Sequence, residues 1–141
     1  MSDNQLSLDL QPPRRSLPHL WTPDDIYRAA DEEVVRDFAE DNRIERKRVE
    51  VNQRDLAEYL SMWANTQPHG GIVFIGISND GTLLGCKHSE TSHLNDIVSS
   101  RRLCPDAQAE FKRVAVVNDK GDDDFVIVLR IFYRHDRLVE T

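Results

Sequence analysis

Residues 72–77 constrain the fold of this chain more than any other segment, because they form an uninterrupted run of apolar residues and one glycine. A run of this length without polar alternation is typical of an interior strand that is covered on both faces. The sequence Asn79-Asp80-Gly81 follows it and predicts a hairpin turn, with residues 82–85 as the partner strand. The fold must therefore place other elements above and below one central strand.

Three segments have the apolar spacing of amphipathic helices. The first spans residues 22–39, and Thr22 is a suitable cap at its start. The second follows the capping residue Asn52, and the third begins near Ser92 and ends before Pro105. The apolar stripe of the first helix is Ile26, Ala29, Ala30, Val34 and Phe38. The stripes predicted to be buried in the other two are Leu56, Tyr59, Leu60, Trp63 and Ala64, and Leu94, Ile97 and Val98.

Further strands are predicted at residues 43–51, 112–118 and 125–133. One mixed sheet with packed helices accommodates this order of elements most simply, so we predict an α/β (α+β) fold with a single mixed β-sheet. The strand at 43–51 carries charged residues on both faces. It is therefore expected at a sheet edge or beside a site.

The length of 141 residues suits one domain. No apolar run approaches the roughly 18 residues of a membrane span, so no membrane partner is expected. Cys86 and Cys104 are the two cysteines of the chain and cannot build a disulfide scaffold. Their number favours a reducing, cytoplasmic location.

The net charge of −7 is distributed unevenly. Residues 1–42 carry 4 basic and 10 acidic residues, whereas residues 43–141 carry 14 and 15. A basic cluster near the predicted edge strand is suited to contacting phosphates, although a solvated strand and helix start would look the same. The cluster consists of Arg43, Arg46, Lys47, Arg48 and Arg54, with Arg101, Arg102, Lys112 and Arg113 as possible extensions.

Two kinds of site are disfavoured by spacing. Gly76 and Gly81 have the separation of a phosphate-binding loop, but Thr82 stands where that loop needs lysine. Four potential zinc ligands match no common zinc spacing, and small buried residues are the simpler interpretation of the two cysteines. These ligands are Cys86, His88, His93 and Cys104.

A third candidate site consists of carboxylates. Glu40 and Glu45 flank the junction between the first helix and the edge strand, and Lys47 shares a strand face with Glu45. Asp80, in the turn, is the third carboxylate. Such a set suits phosphodiester cleavage assisted by Mg²⁺ or Mn²⁺, and ordinary surface carboxylates are the alternative interpretation.

Four short motifs occur in order along the chain: Glu40-x4-Glu45-x-Lys47, Trp63-Ala64-Asn65-Thr66, Gly70-Gly71 with the run at 72–77, and Asn79-Asp80-Gly81 with Gly85. Taken together, they resemble the pattern of the Schlafen AlbA_2 domain over about residues 40–133. The resemblance implies an AlbA-like, two-layer domain that binds DNA in bacterial regulators, in a family once labelled a divergent ATP-binding ATPase. It also implies a possible homodimer. In Schlafen proteins the same domain type is an RNA endonuclease with two glutamates and an aspartate, which would here be Glu40, Glu45 and Asp80.

Some positions depart from that pattern. Arg46 stands where the family has a buried phenylalanine, and Pro68-His69 is inserted before the paired glycines. Asn79 falls where the nuclease aspartate is expected, with Asp80 one residue along. The resemblance therefore favours nucleic-acid binding over cleavage. The family usually continues past the strand at 125–133, so we expect a C-terminal truncation of the domain.

We predict a nucleic-acid (DNA) binding domain of a bacterial regulator or defence protein, with the basic cluster on the phosphates. The alternatives are a metal-dependent endoribonuclease and a protein-interaction module. Residues 1–21 are expected to be a flexible leader, and residues 22–141 the domain, with its helix at 22–39 and its core at 40–133. In the leader, Gln5-Leu6-Ser7-Leu8-Asp9-Leu10 resembles peptides that bind the bacterial DNA sliding clamp.

Overall fold

The computed structural model of the chain describes residues 21–141. Residues 1–20 of the predicted leader, with the Gln5–Leu10 motif, lie outside the described residues, whereas Trp21 is buried in an apolar cluster. The helices are α1 Pro23–Ala29, α2 Glu32–Asp37, α3 Gln53–Ala64 and α4 Thr91–Val98, followed by a 3₁₀ turn at Ser100–Leu103. The strands are β1 Ile44–Lys47, β2 Gly71–Ile75, β3 Gln108–Val117 and β4 Asp123–Phe132.

The four strands form one mixed sheet in the order β1-β2-β4-β3. β1 is parallel to β2, whereas β2 and β3 both pair antiparallel with β4. All five residues of β2 are buried, which confirms the interior strand predicted from the apolar run. The α+β class and the single mixed sheet are confirmed as well. β1 is an edge strand, and this explains why its sequence tolerates charge on both faces.

Helices cover both faces of the sheet. Successive residues of β2 point to opposite sides, so their neighbours show which helices pack on each face. Val73 and Ile75 belong to one apolar cluster, together with residues of α3 and α4. Ile72 and Phe74 belong to a second cluster, together with residues of α1 and α2. The domain therefore has three layers, where the resemblance implied two.

The helix predicted over residues 22–39 is interrupted at Ala30 and Asp31. Thr22 caps α1 as predicted, in a capping box with Asp25. Ala30 then adopts an extended conformation, and the Asp31 carboxylate accepts a hydrogen bond from the Val34 amide and starts a new helix. An aspartate that can cap competes with helix continuation, which is why the periodic stripe spans two short helices.

α3 matches its prediction closely. At the start of the helix, the Asn52 side chain accepts a hydrogen bond from the Asp55 amide. At its end, Trp63 and Ala64 of the apolar stripe are buried. The Trp63 ring covers Gly71 so closely that a Cβ there would lie 2.2 Å from the ring. In α4, Leu94 and Ile97 are buried as predicted. Val98 is 41% exposed, so its predicted burial is wrong; it is the last residue of the helix.

The turn at residues 79–81 forms, but the strand predicted after it, at residues 82–85, does not. One bridge joins Ile77 to Leu83. Beyond it the chain is diverted by Gly85, which has a φ of +77°. The strand predicted at 43–51 is also shorter, because the Val51 amide donates to the Arg48 carbonyl and turns the chain into α3.

The Asp124 carboxylate, at the start of β4, holds the diverted segment in place. One oxygen accepts from the amides of Cys86 and Lys87, each at 2.9 Å, and from the Phe125 amide at 2.7 Å. The other accepts from the Asn118 side-chain amide at 2.9 Å. Partial burial would raise the pKa of Asp124, but these donors outweigh it and lower the pKa.

Charged side chains cover parts of both sheet edges. On β1, the Arg46 amide donates to the Glu40 carboxylate at 2.9 Å. On β3, the Val117 amide donates to Glu32, and the Arg101 guanidinium donates to the Ala109 carbonyl at 3.2 Å. Both outer strands therefore have backbone groups that are satisfied by side chains instead of a neighbouring strand. None of the helices in residues 21–141 has the length and apolar character needed to cross a membrane.

Candidate nucleic-acid interface

The basic residues of the predicted cluster have very different environments. Arg46 is buried, and its guanidinium donates to the carbonyls of Arg36 at 2.9 Å and Asn79 at 3.2 Å. Burial lowers the pKa of Arg46, and the nearby carboxylates of Glu40 and Asp80 oppose that effect. Arg46 thus fastens α2 and the turn at 79–81 to β1. Its predicted contact with phosphate does not fit this buried position.

Arg43 is also engaged. Its guanidinium lies 2.8 Å from the Asp41 carboxylate and donates to the Trp21 carbonyl. By contrast, Arg48 and Arg54 are exposed, and neither forms an ion pair with any residue in the described part of the chain. Of the predicted cluster, these two arginines are the most accessible to an anionic ligand.

A pair of carboxyl groups lies beside β1, where Glu45 belongs to the strand and Glu40 precedes it. Glu40 and Glu45 are hydrogen-bonded to each other. Burial, and then this bond and the charge of Glu40, raise the pKa of Glu45 to about 7. The pKa of Glu40 is lowered, first by its bond to Glu45 and also by the Arg46 amide. Near neutral pH the two groups therefore share one proton, as close carboxylates do.

Lys47 lies beside this pair. Its ammonium is 3.8 Å from the Glu45 carboxylate and 5.2 Å from the centre of the Tyr59 ring. Burial alone would lower the pKa of Lys47, but Tyr59 and the two glutamates outweigh it and raise the pKa. The sequence did not identify Tyr59 as part of this site, because its position on the apolar stripe of α3 assigned it to the core.

Asp80 is occupied within its own turn. Its carboxylate accepts from the Thr82 amide at 3.0 Å, from the Thr82 hydroxyl at 2.8 Å and from Ser78. The Ser78 bond and the two Thr82 bonds lower the pKa of Asp80 to about 2. Across residues 21–141, no group of three or more His, Cys, Asp or Glu residues is placed to hold a metal ion. The structure brings Glu40 and Glu45 together, and Asp80 does not complete a metal site with them.

Two cavities open beside Arg48. The first, of about 500 Å³, is polar and lies between β1, the start of α3 and the turn at 79–81. The second, of about 600 Å³, lies between the β1–α3 connection and the segment before α4. Arg48 lines both cavities. The first is lined by Arg46, Lys47, Arg48, Val51, Asp55, Ile77, Ser78, Asn79 and Asp80.

The possible extensions of the basic surface lie elsewhere. Lys112 and Arg113 are on β3, at the opposite edge of the sheet from β1. The Lys112 ammonium lies over the Tyr27 ring, and the Arg113 guanidinium lies over the Phe125 ring, each at 4.3 Å. Arg101 donates to β3, as described above, and Arg102 is exposed. Lys112 and Arg113 therefore do not continue the surface around Arg48.

The potential zinc ligands do not converge either. Cys86 and Cys104 are buried free thiols, which confirms their interpretation as small core residues. Burial raises the pKa of both, that of Cys86 to about 12. The His93 ring bonds to the Val49 carbonyl, so one of its nitrogens is already engaged.

The sequence of this domain matches a known protein family. The model of the family described as "Schlafen, AlbA_2" matches residues 40–138 of the chain. The match includes both cavities and the Glu40–Glu45 pair, while α1 and α2 lie before it. A search among curated proteins finds no match.

Proposed function

Because the chain belongs to the Schlafen AlbA_2 family, we propose that it binds nucleic acid through the phosphate backbone, as the DNA-binding domain of a bacterial regulator or defence protein. One observation carries the proposal: Arg48 is exposed, has no ion pair among the described residues, and lines two adjoining cavities beside Lys47. Arg54, at the start of α3, is the second free cation of this surface.

The net negative charge of the chain does not oppose the binding of nucleic acid at this surface. The excess of acidic residues is concentrated in residues 1–42, whereas the accessible cations follow β1. Each phosphate neutralised by lysine or arginine releases counterions, so affinity falls as salt rises. Contacts of this kind position a strand without reading its bases, so we expect little sequence preference from Lys47, Arg48 and Arg54 themselves.

The test is the salt dependence of binding, measured by fluorescence anisotropy with a labelled oligonucleotide. Changing Lys47 and Arg48 together to alanine should weaken binding of all sequences about equally. Each lost contact should lower the slope of log K against log salt by about 0.7–0.9. Arg113→Ala is the matched control, because Arg113 is exposed and lies on β3, at the opposite edge of the sheet from β1. Unchanged binding in the double variant refutes the assignment.

The second candidate function is metal-dependent cleavage of RNA. The observation that favours it is the Glu40–Glu45 pair, which shares a proton next to Lys47. A divalent cation can replace that proton, so both carboxylates fit Mg²⁺ or Mn²⁺, and the cation would polarise a phosphodiester. Lys47 would then hold the phosphate. The third carboxylate of the predicted set, Asp80, is engaged in its own turn and leaves this site with two protein ligands.

Cleavage is tested by incubating the chain with a structured RNA in Mg²⁺ or Mn²⁺ and following the fragments by electrophoresis. Activity that is lost in Glu45→Gln and kept in Glu58→Gln supports the nuclease, because Glu58 is an exposed glutamate of α3. Equal activity in both variants excludes a role for this pair.

A further inference from the structure

The second cavity beside Arg48 has the size of a ligand site, and its lining combines apolar surface with charged residues. Its volume of about 600 Å³ lies within the roughly 300–1,000 Å³ of pockets that enclose small organic ligands. Val49, Leu84 and Cys86 supply apolar surface to its lining. Cys86 adds no charge, because burial raises the pKa of its thiol to about 12.

Specific bonds hold the walls of this cavity in place. On one side, the amides of Cys86 and Lys87 are fixed by the Asp124 carboxylate. On the other side, the His93 ring of α4 bonds to the Val49 carbonyl and joins the two elements that line the cavity. A cavity with tethered walls is largely formed before a ligand arrives, so binding costs little ordering.

The charges around the cavity favour one orientation of a ligand. Glu50, Glu90 and Asp119 are exposed, line the cavity and form no ion pair with other described residues. Together they repel a phosphate from the interior and can accept hydrogen bonds from amino groups. Arg48 and Lys120 are the exposed cations of the lining that form no ion pair with other described residues. Arg48 also lines the first cavity, so it can hold a phosphate that lies outside the second.

We propose that this cavity binds an unstacked base of single-stranded nucleic acid while Arg48 holds an adjacent phosphate. The proposal rests on the proposed function and adds to it the strand form and the kind of base. Proteins read single strands by placing splayed bases against apolar and aromatic side chains and by bonding to their edges. Because the three free carboxylates are acceptors, the cavity prefers bases with an exocyclic amino group, such as cytosine, over thymine.

The test compares strands that have the same number of phosphates. Anisotropy is measured with (dC)8, (dT)8, an eight-unit abasic strand and a duplex, at one salt concentration. We expect (dC)8 to bind about fivefold or more tightly than the abasic strand and more tightly than (dT)8 or the duplex. Filling the cavity with Ser89→Trp should reduce (dC)8 to the affinity of the abasic strand. Val117→Trp, on an exposed residue of β3, should not.

Further measurements separate the proposed base site from the proposed function on which it rests. His88→Ala removes an exposed ring from the lining without filling the cavity, and it should also narrow the difference between (dC)8 and the abasic strand. Equal binding of these two strands by the unchanged protein refutes the base site while leaving phosphate binding intact. Absence of binding to every strand refutes the proposed function. In that case dCMP is titrated against the protein and followed by NMR. Shifts of the His88 and His93 ring signals would support a site for free nucleotides. The absence of a shift at 10 mM dCMP refutes the base site.

Discussion

Replacing Asp124 by asparagine should destabilise the domain, although the two side chains have nearly the same shape. Asparagine keeps one acceptor oxygen, which can still serve the three backbone amides of Cys86, Lys87 and Phe125. Its new amide group must then face the Asn118 side-chain amide, which lies 2.9 Å from the present carboxylate oxygen. Two donors would meet where a donor now meets an acceptor.

Asn118 cannot relieve this contact by rotating its amide. Its side-chain oxygen already accepts from the amides of Lys120 and Asp122, at 2.9 and 3.0 Å. Hydrogen bonds to charged groups contribute roughly 1.5–3 kcal/mol, and partial solvent exposure of Asp124 reduces that value. We therefore expect Asp124→Asn to lower the free energy of unfolding by about 2 kcal/mol, or a melting temperature by about 8 °C.

Asp123→Asn is the matched control, because Asp123 is the neighbouring carboxylate, is exposed and has no side-chain bond in the described part of the chain. It should change stability by less than about 0.5 kcal/mol. Thermal and urea unfolding, followed by circular dichroism, measure both variants. If Asp124→Asn melts within about 2 °C of Asp123→Asn, the bonds to Asp124 contribute little and the reasoning is wrong.

The pH dependence provides a second check on Asp124. Its pKa is lowered from a value of 3.8, so the carboxylate stabilises the fold above that pH. The contribution is lost as the pH falls through the lowered pKa, when the folded protein also takes up the proton. The difference in stability between the parent and Asp124→Asn should therefore be constant from pH 5 to 7 and shrink below about pH 4.

Three further predictions concern the core, the carboxyl pair and the leader. Trp63→Ala should lower the free energy of unfolding in urea by roughly 3–5 kcal/mol, because it empties the space over Gly71. A variant that melts like the parent would contradict that packing. Carbon-13 NMR of the carboxyl groups should show Glu45 titrating at about 7. Glu40→Gln should lower the pKa of Glu45 but leave it above its usual value, since burial is the largest cause of the shift. An unchanged pKa would show that the pair does not share a proton. A peptide of residues 1–15 should bind the bacterial sliding clamp with micromolar affinity and lose it on Gln5→Ala with Leu8→Ala, whereas no binding at about 1 mM would end that hypothesis.

The parts of the fold that the sequence predicts depend on local patterns. The apolar run identifies β2 as an interior strand because no other environment suits such a segment. Asn52 and the stripe ending at Trp63 define α3, since caps and helical spacing act within a few turns of one another. The pairing of Glu40 with Glu45 could be expected too, because the two residues flank a single junction.

Long-range contacts determine what the sequence does not predict. Arg46 looked like a surface cation, and its burial depends on carbonyls at residues 36 and 79 that only the folded chain brings near. Asp124 looked like part of an acidic turn, and its four donors come from three separate segments. The cavities beside Arg48 likewise form between elements distant in sequence, so spacing along the chain carries no signal for them.

The side chains along the two edges of the sheet bear on how this protein behaves at high concentration. An open strand edge is a template on which another copy can add, and this route leads to precipitation without any loss of fold. Glu32 and Arg101 occupy backbone groups near the two ends of β3, so an incoming strand can pair with the stretch between them but not with the whole ten-residue edge. A variant such as Glu32→Ala can therefore keep its melting temperature and still express poorly. Yield and light scattering, and not stability alone, are the properties in which substitutions at these edge positions will appear.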